Sequence, residues 1–140
     1  MKQRNLVLIL ARDLADKLAS AVFVVDEEGA LVYFNEAAGE ILGKSFAEVG
    51  TMSMDEWATA FWPKDPIGRD LPPEEVPLAV ALREHRPSHR EMQIEGMDGK
   101  VRGISVTALP LFARSDEFVG ACAIFWEDSG VGGTGEGAQG

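Results

Sequence analysis

The chain has 140 residues, a single cysteine, few basic side chains and no long apolar run. The lone Cys122 permits no internal disulfide and no thiolate metal cluster. Set in an apolar stretch, it reads as a small buried hydrophobe in a reducing compartment. Lys and Arg number 13 against 23 Asp and Glu, a formal net charge of -10. Gripping a phosphate backbone or an anionic bilayer takes clustered cations, so neither nucleic acid nor a membrane is expected as a partner. Leu6 to Ala11 is too short for a secretory leader and is broken by Arg12 and Asp13. Nothing else approaches membrane-spanning length, and a cytoplasmic location is expected.

Reactive constellations are scarce as well. Asp65, His85, His89, Glu91 and Asp98 are the plausible acid–base groups. No Ser-His-Asp frame, phosphate-cradling loop or metal-spaced His/Cys set accompanies them. The run GVGGTGEG near the end lacks the strand–turn–helix unit of a dinucleotide site. The expectation is therefore no enzyme and no metal.

What is present is a globular composition, 46% hydrophobic and 26% charged, with enough chain for one core. Lys2 to Ser20 reads as an amphipathic helix, with Leu6, Leu10, Leu14 and Leu18 every four residues and Val7, Ala11 and Ala15 beside them. Leu8 and Ile9 widen its apolar surface beyond one packing face. Val22–Val25 and Leu31–Phe34 form a hairpin around Asp26-Glu27-Glu28-Gly29. Asn35 caps a helix that Gly43 stops, and Ser45 with Glu48 stands at capping-box spacing. Met54 to Trp62 reads as a short helix with Trp57, Phe61 and Trp62 on its apolar side. A Pro/Gly-rich loop follows, then one helix over Glu74–Glu84 with Pro73 in its first turn. His89–Gly96 and Val101–Phe112 alternate as strands about an Asp98-Gly99 turn. Phe118–Trp126 is apolar almost throughout, as a central strand would be. The Gly-rich stretch 129–140 is expected to be disordered.

The pieces VVDEEGALVYFNEAAGEILG, GRDLPPEEVPLAVAL, DGK, VTALPLF and EFVGACAIFWED resemble a PAS domain over about Leu18 to Asp128. The most specific are the hairpin with Asp26, Gly29 and Asn35, and the spaced Pro110 and Gly120. The resemblance implies an α+β fold: a five-stranded antiparallel sheet of order 2-1-5-4-3, helices over one face, a cavity between them, and a preceding amphipathic helix. Residues 1–20 would be that helix, 21–128 the PAS domain and 129–140 a tail. The implied role is a non-catalytic signalling module, a single-domain sensor of bacterial type.

With the resemblance fixing which face turns inward, alternation assigns Phe23, Val25, Ile104, Val106, Ala108, Ala121, Ala123 and Phe125 to the cavity. Phe61, Trp62 and Met92 would close it. The alternatives are a small apolar ligand in that cavity or an ordinary packed core. Leu6, Leu10, Leu14, Val22, Val24, Cys122, Ile124 and Trp126 form a second apolar surface, suited to a homodimer or to an effector protein in trans. The reactive-Cys motif of flavin photosensors is missing, since Cys122 lies on the last strand. A haem reading would rest on His85, at a helix end where it is expected to face solvent, or on His89, just before the next strand, so neither cofactor is expected.

Overall fold

Five extended segments pair into one antiparallel sheet. In the computed structural model, which describes residues 3–114 and 116–128, the strands are β1 (Ala21–Asp26), β2 (Leu31–Phe34), β3 (Ser88–Glu95), β4 (Val101–Arg114) and β5 (Glu117–Glu127). Their spatial order is β2-β1-β5-β4-β3, so the apolar last strand is central, as expected. The helices are α1 (Gln3–Lys17), α2 (Glu36–Leu42), α3 (Phe46–Val49), α4 (Met54–Ala60) and α5 (Pro77–Glu84). The expected helix start at Lys2 and the expected disordered stretch 129–140 lie outside the described residues.

Local chemistry sets the boundaries. Asp26 Oδ1 accepts the N–H groups of Glu28 and Ala30 at 3.0 Å, which closes the β1–β2 turn. Ser45 and Glu48 make the expected capping box on α3. The expected single helix over Glu74–Glu84 is instead a 3-10 turn, Pro73–Glu75, followed by α5. Val76 between them is extended (φ -68, ψ 144). Pro77 has no N–H to continue a helix and disfavours helical geometry in the residue before it.

Side chains of α2, α4 and α5 pack on one face of the sheet with Phe23, Val25, Leu31, Phe34, Ile104, Val106, Ala108, Ala121, Ala123 and Phe125. Burying Phe34 alone removes an aromatic ring from water, worth about 2–3 kcal/mol. Helix α1 lies on the other face, where Ala15, Ala11 and Leu8 meet Val22, Val24, Cys122 and Ile124. The face α1 turns to the sheet is thus its small-residue side, since alanines let the helix axis approach closely. The leucine stripe points outward. Gly120 belongs to this contact: a Cβ there would overlap the Val25 carbonyl and come within 3.2 Å of Leu8.

Both edges of the sheet carry backbone partners from the 50–64 region. Leu31 donates to Met52 O at 2.7 Å on the β2 side. On the β3 side Lys64 and Gln93 exchange hydrogen bonds at 2.8 and 2.9 Å, and Glu95 donates to Phe61 O at 2.8 Å.

Candidate functional site

The inner sheet face and the helices leave a cavity of about 90 Å³. Period-two alternation sends Met92 and Ile94 of β3, Ile104 and Val106 of β4, and Ala123 and Phe125 of β5 to its floor. The register aligns them, with Met92 opposite Ile104, Val106 opposite Phe125 and Phe23 opposite Ala123. The roof comes from Leu42, Trp57, Phe61, Pro63, Val76, Pro77 and Leu78. Trp57 packs edge-on against Phe23 at 5.7 Å, and its indole N–H donates to Gly29 O at 2.6 Å. That bond satisfies the polar atom the roof would otherwise bury unpaired. Every lining residue is apolar, so the cavity can take up a ligand by shape and dispersion rather than by charge.

Seven of the residues expected at the cavity are at its wall: Phe23, Phe61, Met92, Ile104, Val106, Ala123 and Phe125. Val25, Ala108 and Ala121 are fully buried in the same core but away from that wall. Trp62 is a correction. It is 63% exposed, at φ 46, because the chain turns through a left-handed residue between Phe61 and Pro63. Consecutive aromatics are thereby sent apart, Phe61 inward and Trp62 outward. Leu42, Trp57, Pro63, Val76, Pro77, Leu78 and Ile94 were missing from the expected lining. Of these, Ile94 was recognisable, since it alternates with Met92. The others sit on helices and loops whose docking no strand pattern encodes.

The second surface divides. Val22 and Val24 are buried beneath α1, and Cys122 and Ile124 are half-buried there. Burial pushes the Cys122 thiol above its ordinary pKa, which keeps it protonated and unreactive. Leu6, Leu10, Leu14 and Trp126 stay open, Leu10 at 56% and Trp126 at 46% exposure. α1 is held by polar contacts at its flank: the Tyr33 hydroxyl donates to Asp16, and the Arg12 guanidinium lies 4.7 Å over the Tyr33 ring. Burial and the Asp16 carboxylate raise the Tyr33 pKa.

His85 caps the end of α5 in a left-handed conformation and stacks on Phe118, ring centres 4.0 Å apart, away from the cavity. His89 Nδ1 lies 2.8 Å from Thr107 Oγ1 on the outer face of the sheet. Among the described residues no group of three or more His, Cys, Asp or Glu is arranged to hold a metal ion, and no helix is long and apolar enough to cross a membrane.

A sequence profile of the family described as PAS domain matches residues 19–129. No curated protein is significantly similar in sequence. Among solved structures, the chain is similar to the PAS domain of BvgS from Bordetella pertussis, with TM-score 0.58 and 16% identity over 86% of this chain and 84% of that one. It is similar to the PAS domain of an HTR-like protein from Haloarcula marismortui, with TM-score 0.58 and 20% identity over 86% and 90%. It is also similar to a LOV protein from Rhodobacter sphaeroides, with TM-score 0.64 and 13% identity over 90% and 68%. At these identities the likeness concerns the fold alone.

Proposed function

The chain belongs to the PAS domain family, whose members are generally signalling sensor modules and typically not enzymes, and on that footing we propose that it senses a small apolar molecule in the cavity between its sheet and α4–α5. Residues 21–128 form the sensing body, and α1 is the contact helix through which the state of that body reaches a second copy or a partner protein. The observation that carries this reading is the cavity's wholly apolar lining. Its volume of about 90 Å³ falls somewhat below the ~150 Å³ of an engineered apolar cavity that stays dry and admits benzene. A compact hydrocarbon-like ligand suits it better than a flavin or a haem, and His85, stacked on Phe118, is out of reach of a haem there.

A second reading, a ligand-free dimerisation module, is supported by the exposed leucine stripe of α1. Native mass spectrometry of protein purified from cells, set against its denatured mass, separates the two. Extra non-covalent mass on the wild type that is lost in Ala123→Leu, which narrows the cavity, supports the sensor. A wild type carrying only its polypeptide mass, in a dimer, overturns it in favour of the second reading. An absorption spectrum of the same sample checks for flavin and haem directly.

A further inference from the structure

Between the β1–β2 turn, the start of α4 and α5 lies an open groove of about 420 Å³. Its floor is apolar: Gly29 of the β1–β2 turn, Met54 at the start of α4, and Ala79 and Leu82 of α5. A Cβ on Gly29 would come within 3.0 Å of the Met54 side chain and 3.4 Å of Leu82, so the three residues form one continuous surface. Met54 is 38% exposed there. A flexible, polarisable thioether at the surface adapts to varied apolar side chains, and methionine is favoured at peptide-binding surfaces for that reason. The rim is predominantly acidic. Glu27, Glu28, Asp55 and Glu74 line it against one guanidinium, Arg83, which itself bonds Glu84 at 3.1 Å and the Glu74 carbonyl at 3.2 Å.

We propose that this groove docks an amphipathic segment of a partner protein that carries apolar anchors flanked by Lys or Arg. Apolar anchors match the methionine and leucine floor, cations match the rim, and the chain's net charge of -10 steers such a segment toward it. The proposal rests on the reading that the signal leaves through protein contact, and it names where. The same two helices wall both sites: α4 gives Trp57 to the cavity and Met54 to the groove, and α5 gives Leu78 to one and Leu82 to the other. Trp57 also donates to Gly29 O, which ties the cavity roof directly to the groove floor.

The test is fluorescence anisotropy of a labelled helical peptide of alternating Leu and Lys blocks on the full chain. A Leu/Glu peptide and an oligolysine serve as controls. The Leu/Lys peptide alone should bind, and Glu28→Lys with Asp55→Lys should weaken it about tenfold or more. Met54→Gln should weaken it about threefold or more without changing the salt dependence. Reversal of two carboxylates outside the groove, Glu40→Lys with Glu91→Lys, should leave affinity within about twofold, and circular dichroism of each variant checks the fold. Equal losses from both pairs of reversals, equal binding of oligolysine, or full displacement by spermine would overturn the proposal. Loss of self-association on peptide binding would also overturn it, because the occupant would then be a second copy. The outcome is separable from that of the sensor reading. A peptide that fails to bind a chain with extra native mass refutes the groove alone. A peptide that binds a chain without extra mass upholds the groove and refutes the cavity ligand.

Discussion

Asn35 holds three parts of the chain together through one side chain. Its Oδ1 accepts from Ala38 N, the helix cap, and from Val22 N, each at 3.0 Å. Its Nδ2 donates to the carbonyls of Ala15 at 2.9 Å and Ser20 at 2.8 Å. The cap was legible in the sequence because it is a relation between neighbours. The bonds to Ala15 and Ser20 were not, because they join residues that meet only after the sheet forms. Asn35→Ala leaves buried donors and acceptors unpaired at once, and it should cost about 3 kcal/mol in urea denaturation. A loss below about 1 kcal/mol would reduce Asn35 to a simple cap. Trp62 runs the other way. It is a bulky residue at φ 46 directly before a proline, where both its side chain and its neighbour disfavour that geometry. Its side chain is exposed, so little packing compensates. Trp62→Gly should therefore raise stability by about 1 kcal/mol in the same assay, and a decrease would mean that the indole makes a contact worth more than the strain.

Among elements, the β3–β4 turn is fastened to the end of α2. Arg102 donates to Ile41 O at 2.8 Å and Met97 N to Leu42 O at 2.7 Å, which satisfies carbonyls that a helix end leaves without partners. Asp98 holds Arg102 in place at 3.0 Å. The Arg102 hydrogen bond, with help from the Lys100 N–H, lowers the Asp98 carboxyl from 3.8 to about 2. A depressed folded-state pKa gives stability that is complete above the unfolded value and lost as pH falls through the folded one. The thermal midpoint of Asp98→Asn should thus lie below that of the wild type at about pH 5, and the gap should close between about pH 4 and pH 2. A gap that is constant with pH would assign the effect to turn geometry instead. Strands and caps at this scale were readable from alternation and spacing. The break at Val76 was readable in principle from Pro77 but was overridden by the acidic first-turn signal of Glu74 and Glu75.

At the scale of the whole molecule, strand order came from the resemblance and not from periodicity, which fixes faces but not neighbours. Which side of α1 meets the sheet was also hidden. A helix apolar on more than one side has no unique inward face, and the choice went to the alanines. The consequence is a stripe of Leu6, Leu10 and Leu14 on the outside, Leu14 being 59% exposed, on the same side of the sheet as Trp126. Leu10→Asp and Trp126→Ala should each weaken self-association in sedimentation by about tenfold or more, with circular dichroism unchanged. A monomeric wild type, or an assembly unaffected by both, would leave the stripe without that role. The bonds along the sheet margins bear on the same question. With Leu31, Gln93 and Glu95 already engaged by the 50–64 segment, a second chain finds little open ladder to extend at those positions. Crowding of this protein should therefore favour discrete pairs joined through their faces over strand-by-strand growth into fibrils.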